Sequence, residues 1–202
     1  SLNVHKHLQC GEGGVVVTND SDLAQRVRNF INHGELAGDR VGLNLRMTEV
    51  TAAIAITQLN KIEELVFGRV TQAHKIINAL ADLVPWLKIP MVMSNCTHVY
   101  YMLPFTLELP EGVTRDAVVK ALNAEGFPLE SGYVEPLYHN PAFNQRGAAN
   151  CPVAEDLYRR RLITFSNCEW SPSDSQIQQF AEAVLKVDKL VVQQGVKVNA
   201  TV

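Results

Sequence analysis

The order of apolar and turn-forming residues predicts an α/β protein, and three observations carry that reading. After Pro85, segments rich in Val, Tyr, Phe and Thr alternate with amphipathic helical segments, as a small α/β domain requires. Before it, apolar residues recur every three to four positions over residues 48–84, the period of one helix face. Ahead of both lies a β-branched run, Val15, Val16 and Val17, bounded by Gly13 and Gly14.

That run reads as a strand buried on both faces, and residues 2–8 offer a hairpin-like partner with Lys6 near its end. Ser21 reads as the N-cap of a helix to Asn32, with Asp22 favouring the dipole, Leu23, Val27, Phe30 and Ile31 on one face, and Gly34 as the stop. Residues 35–45 are polar and glycine-containing, hence a loop. The long helical run over 48–84 ends before Pro85. Its first part, residues 50–56, is apolar nearly all round and should be buried in a core or an interface. Gly68 suggests a break, since glycine in a helix interior costs about 1 kcal/mol relative to alanine.

Residues 99–109 read as a strand interrupted at Pro104, which places an edge or a bulge there. Thr114 caps a helix carrying Val118, Val119 and Leu122 and stopping at Gly126. Residues 132–149 form a long irregular stretch, a kind of segment that is uncommon unless functional or mobile. Pro152 opens a short helix to about Arg161, residues 162–165 form a short strand, and Ser171-Pro172 supplies an N-cap and N1 proline for the last helix. That helix shows Ile177, Phe180, Ala181, Val184, Val187 and Val191 on one face, and a tail follows Gln193. The leading piece reads as incomplete, because one hairpin and one helix cannot bury a strand on both faces.

With 202 residues, 47% of them hydrophobic and 19% charged, the chain can bury a substantial core. Its formal charge of −3 gives no clustered basic excess for nucleic acid or an anionic membrane. The one cationic run, Arg159, Arg160 and Arg161, reads first as a solvated helix face and second as an anion contact. The four cysteines, Cys10, Cys96, Cys151 and Cys168, show neither a zinc spacing nor a disulfide framework. No stretch nears the roughly 20 apolar residues that span a bilayer, and the beginning lacks the order of a signal peptide. A cytoplasmic location is the expectation.

The chemistry centres on Lys6. A lysine becomes a nucleophile toward carbonyls when desolvation or neighbouring positive charge favours its neutral form. Alone, Lys6 between His5 and His7 reads as an exposed strand-end lysine. Its neighbours change that. Ser1, then Lys6 five residues later, then Gly11-Glu12-Gly13-Gly14, an apolar run and Thr18-Asn19-Asp20 resemble the cofactor-lysine segment of the DegT/StrS family of pyridoxal-phosphate-dependent sugar aminotransferases. Gly42-Leu43-Asn44-Leu45-Arg46-Met47-Thr48-Glu49, followed by Ala52-Ala53-Ile54, resembles that family's second block, with Leu43 and Leu45 where tyrosines are usual. Gly132-Tyr133-Val134-Glu135-Pro136-Leu137-Tyr138, Asn140-Pro141-Ala142-Phe143 and Cys151-Pro152-Val153-Ala154-Glu155 resemble its small-domain motifs. Residues 163–168 depart from the family's Leu-Pro-Leu-His-Pro.

The resemblance implies the carboxyl-terminal part of a fold-type I, aspartate aminotransferase-like transferase. Residues 1–47 would be a remnant of the large cofactor-binding domain, 48–84 a long interdomain or dimer helix, 85–192 a small α/β domain and 193–202 a tail. It implies pyridoxal 5'-phosphate as cofactor, Lys6 as the catalytic and cofactor-holding lysine, Ser1 as a phosphate ligand, and Asn44 reaching the phosphate of a neighbouring subunit in a homodimer. Tyr133, Tyr138 and His98 are implied as substrate-binding residues, His98 with a purely structural role as the alternative. The implied reaction moves an amino group from glutamate or glutamine to a keto-sugar or cyclitol in sugar biosynthesis. Family members are roughly twice this long, and their first half supplies the aspartate that pairs with the pyridine nitrogen. The expectation is therefore a truncated chain, inactive alone, or a standalone module without catalysis that assembles through residues 15–17 and an apolar helix face. A dehydratase relative would carry histidine in place of Lys6.

Overall fold

A computed structural model of the chain describes residues 1–143, 151–165 and 172–192. It divides into two compact units, Ser1–Phe67 and Gly68–Val202.

The first unit begins with a loop closed on itself. The Leu2 N–H donates to the Gly13 carbonyl at 2.9 Å and the Cys10 N–H to the Leu2 carbonyl at 3.0 Å. Leu2 and Cys10 are both buried, which anchors the loop on either side of Lys6. The expected hairpin is absent: residues 2–8 form turns and residues 15–17 no strand. Val15, Val16 and Val17 are 65%, 68% and 87% exposed. A strand needs a ladder partner, and among the described residues none lies beside this run.

Helix α1 (Ser21–Ile31) is capped by Asp20, whose carboxylate accepts from the N–H groups of Asp22 and Leu23, one residue earlier than the Ser21 cap expected. Its expected apolar face stays open, with Leu23 and Phe30 exposed, and its one buried residue is Asn29. Gly34 stops the helix at φ +80, and its N–H returns to the Asn29 carbonyl at 2.8 Å. The chain then doubles back. Asn32 and Asn44 form an antiparallel bridge, and the Leu45 N–H donates to the Ile31 carbonyl at 3.0 Å.

The single helix expected over 48–84 is two. Helix α2 (Glu49–Leu59) is capped by Thr48, whose hydroxyl accepts from the Thr51 N–H, and buries none of its residues. Helix α3 (Ile62–Leu80) follows after a tight turn in which the Lys61 N–H bonds the Gln58 carbonyl, three residues back. The break thus falls at Asn60 and Lys61 rather than at Gly68, which α3 runs straight through. Asparagine bonds readily to the local backbone and suits helix ends, whereas glycine's cost is small enough for packing to override.

In the second unit the α3 face expected from the period is real: Ala73, Ile76, Ile77 and Leu80 are buried. Four antiparallel strands, β1 (Leu87–Lys88), β2 (Leu103–Leu107), β3 (Glu130–Ser131) and β4 (Leu162–Phe165), order as β1-β2-β4-β3. β2 is shorter than the strand expected over 99–109, and it runs unbroken through Pro104 as a central strand rather than an edge or a bulge; β1 reaches only to Thr106, so among the described residues no strand lies on that flank of the proline. Helix α4 (Arg115–Ala124), capped by Thr114 as expected, contributes Val118, Val119 and Leu122 to the core. Short helix α5 (Pro152–Asp156) continues as a π-helical turn, Leu157–Arg161, into β4. Helix α6 (Asp174–Val187) is capped by Ser173 in a capping box with Gln176, two residues after the Ser171 cap expected. Ser171, the irregular residues 144–149, Cys168, the Val191 side chain and the tail from 193 lie outside the described residues.

The core joins α3, α4, α6 and the sheet. Phe180 packs on Phe127 and Phe165 with ring centroids 4.6 and 5.3 Å apart, and Phe165 on Phe105 at 6.2 Å. Side chains of this kind cost about 3–5 kcal/mol when cut to alanine, which makes these rings large contributors to the core of the second unit.

Candidate functional site

Lys6 sits on a turn, not at a strand end. Its N–H donates to the Asn3 carbonyl at 2.9 Å, and Asn3 Oδ1 accepts the His5 N–H at 3.1 Å. Asn3 Nδ2 donates to Glu12 Oε1 at 2.6 Å, tying the turn to the glycine block. Ser1 Oγ accepts the Asn3 N–H at 3.4 Å and stays exposed. Lys6 is half-buried. Gly11 takes φ +88, and a Cβ at Gly11 or Gly14 would meet nothing within 4 Å. The glycine block therefore leaves open volume on the Lys6 loop.

Asn44 stands in the same unit on the doubled-back chain, exposed and opposite Asn32. Arg46 Nη1 donates to Asn32 Oδ1, bracing this hairpin from the Asn44 side. A Cβ at Gly13 would lie 3.4 Å from the Met47 methyl, so the second sequence block packs onto the first.

A primary amine for an aldehyde, a hydroxyl and an amide for phosphate oxygens, and free space beside the glycines are a donor set that fits pyridoxal phosphate. Among the described residues no group of three His, Cys, Asp or Glu side chains is placed to hold a metal ion.

The expected substrate residues lie in the second unit. Tyr133 is exposed. Tyr138 is half-buried, with its hydroxyl shielded from water and facing the Glu155 carboxylate without hydrogen-bond geometry. Burial first, and the Glu155 carboxylate second, push this phenol up to about 12. His98 is occupied locally: its Nδ1 accepts the Tyr100 N–H at 2.9 Å and its ring lies on Tyr100 with centroids 4.3 Å apart. Tyr100 has φ +48, a conformation that this bond helps hold.

Sequence reasoning missed the polar cluster around Tyr138. His139 Nε2 lies 2.5 Å from Glu155 Oε1 and its Nδ1 lies 3.1 Å from Glu135 Oε1. Arg159 Nε donates to the other Glu155 oxygen at 2.6 Å. The Arg159 bond, followed by contacts from Tyr138 and His139, holds the Glu155 carboxyl down at about 2. The four-residue spacings of Glu135 with His139 and of Glu155 with Arg159 were visible in the sequence; the meeting of the two pairs was not. Arg159, Arg160 and Arg161 each pair with a carboxylate, of Glu155, Asp156, and Asp156 with Glu108 respectively, which makes the run a salt-bridged face.

No helix among the described residues is long and apolar enough to cross a membrane. A family model for DegT/DnrJ/EryC1/StrS aminotransferases matches residues 1–183. GDP-perosamine synthase of Caulobacter vibrioides is 34% identical over 159 residues, covering 75% of this chain and 42% of that protein. L-glutamine:2-deoxy-scyllo-inosose aminotransferase of Streptoalloteichus tenebrarius is 30% identical over 226 residues, covering 93% of this chain and 52% of that protein. The solved aminotransferase of Psychrobacter cryohalolentis superposes with a TM-score of 0.75 at 26% identity, over 91% of this chain and 53% of that one. The chain spans about half the length of the curated relatives it matches. Its lysine loop, its glycine block and this match over nearly the whole chain lead to one conclusion: it belongs to the DegT/DnrJ/EryC1/StrS aminotransferase family.

Proposed function

We propose that this chain is the carboxyl-terminal half of a pyridoxal-phosphate-dependent aminotransferase that transfers an amino group from glutamate or glutamine to a keto-sugar or cyclitol, in the cytoplasm and as a homodimer. The observation that carries the reading is Lys6 on a turn pinned at Leu2 and Cys10, with open space beside the glycines that follow. The relatives named above, a perosamine synthase and an inosose aminotransferase, support the substrate class.

When bound, pyridoxal phosphate supplies an electron sink for the substrate's amino-bearing carbon. Lys6 Nζ would hold the cofactor by its aldehyde end and would carry a proton to and from the substrate carbon. The Ser1 hydroxyl would donate to the phosphate, and Asn44, exposed on its hairpin, would offer its amide to the phosphate of a second copy. Tyr133 and Tyr138 orient the sugar, and His98 braces Tyr100 beneath the small-domain sheet rather than touching substrate. Residues 1–47 belong to the large domain, 48–84 connect, and 85–192 form the small domain.

The test is reductive trapping. Purified chain mixed with pyridoxal phosphate and borohydride is expected to carry the adduct on Lys6 by peptide mass, and Lys6→Ala is expected to lose it. Modification spread over surface lysines, with Lys6 unmodified, sinks the reading.

A further inference from the structure

The loop of residues 132–143 carries both proposed substrate tyrosines, yet little regular structure holds it: two short 3₁₀ turns, Leu137–His139 and Pro141–Phe143, and no buried residue in either. What ties it to the rest of the second unit is polar. His139, with its side chain 18% exposed, places one ring nitrogen against Glu135 on the loop and the other against Glu155 on α5. Among the described residues, four further titratable groups stand close to this cluster. Arg159 holds the far oxygen of Glu155, Tyr138 and Tyr158 present ring edges at 4.9 and 6.1 Å, and Cys151 at the start of α5 faces Tyr138.

Both contacts join a ring nitrogen to a carboxylate oxygen, and a carboxylate only accepts, so each protonated ring nitrogen donates into the clamp. Arg159 and the other partners of Glu155 keep that carboxyl ionised far into acid, so the α5 side of the clamp stays charged.

We propose that His139 is a positioning residue: clamped through its two ring nitrogens between Glu135 and Glu155, it latches the tyrosine-bearing loop onto α5. The purpose of the latch rests on the reading of Tyr133 and Tyr138 as substrate residues, but its existence is testable without cofactor or substrate.

The experiment uses the intact 202-residue chain. Hydrogen exchange by mass spectrometry, corrected for intrinsic rates, follows the amides of His139, Asn140 and Phe143, which bond the carbonyls of Pro136, Leu137 and Asn140. His139→Gln is expected to speed loop exchange about tenfold, the scale of a lost bond to a charged group, with α4 and α6 unchanged. Loop exchange indifferent to His139→Gln overturns the latch. If His139→Gln fails to fold, Glu135→Gln, which alters the exposed carboxylate of the same clamp, takes its place: quickened loop exchange supports the latch and unchanged exchange overturns it. Failure here with a Lys6 adduct present leaves the functional reading intact, and the converse holds equally.

Discussion

Gly42 runs directly against the carbonyl of Phe30: a Cβ at Gly42 would lie 2.4 Å from that oxygen and 2.5 Å from the Gly34 nitrogen. Both contacts are backbone, and neither can swing aside. The glycine that opens the second sequence block is thus required by close approach rather than by an unusual φ. Gly42→Ala is expected to destabilise the first unit by about 1–3 kcal/mol, the usual cost of overpacking. Urea unfolding should read the loss, and exchange at the Leu43 and Leu45 amides should show that the Asn44 hairpin opens first.

Asn29 is the polar hub of the same hairpin. It is 3% exposed, its Nδ2 donates to Asp39 at 3.2 Å and its Oδ1 accepts the Ala37 N–H at 3.3 Å. Asn29→Leu keeps the volume but removes the acceptor of the Ala37 N–H and one donor to Asp39, which keeps its two bonds to Arg40. A loss of about 1–3 kcal/mol follows from unsatisfied partners, and Asp39→Ala should cost less because Asp39 is exposed and can turn to water. Equal losses in the two variants by chemical denaturation would contradict this.

Acid should weaken the second unit through Glu155. Its folded value, held down at about 2 chiefly by the Arg159 bond, lies below its ordinary 4.5. The stabilisation is therefore complete above about 4.5 and drains as pH falls toward about 2, because the unfolded chain takes up the proton first. Denaturation midpoints of wild type and Glu155→Gln should converge across that window and stand furthest apart near neutrality. Curves that stay parallel from neutrality to about pH 2 would show that the carboxylate contributes nothing.

The open apolar surfaces predict self-association. Residues 15–17 are exposed, and α2 carries exposed Val50, Ile54, Ile56 and Leu59 with nothing buried. Patches of this kind mark interaction surfaces. The chain is expected to sediment as a dimer or larger species, and Val16→Lys or Ile54→Lys to shift it toward monomer. A strictly monomeric wild type at micromolar concentration counts against it.

Local rules carried far in this chain, and each failure has a physical cause. Thr114 caps α4 as read, the α4 face is buried where its period places it, and of the expected α6 face Ile177, Phe180, Val184 and Val187 are buried, because those signals lie within one turn of chain. The caps at Asp20 and Ser173 fell within two residues of expectation, since runs of Ser and Asp offer several competing caps. The interruption expected at Pro104 did not occur: β2 runs through the proline as a central strand, because β1 stops at Thr106 and leaves that flank of the proline open.

By itself, the sequence determined the Thr114 cap, the buried faces of α3 and α4, the glycines of the two leading blocks, the lysine they accompany and the family these motifs belong to. All of these depend on residues a few positions apart. Tertiary structure alone decided that residues 15–17 lie open, since a strand exists only where another backbone offers its hydrogen bonds. It also decided that Glu135, His139, Glu155 and Arg159 form one cluster. The imidazole and its partner on α5 are 16 residues apart, a separation that no rule acting within one turn of chain can bridge.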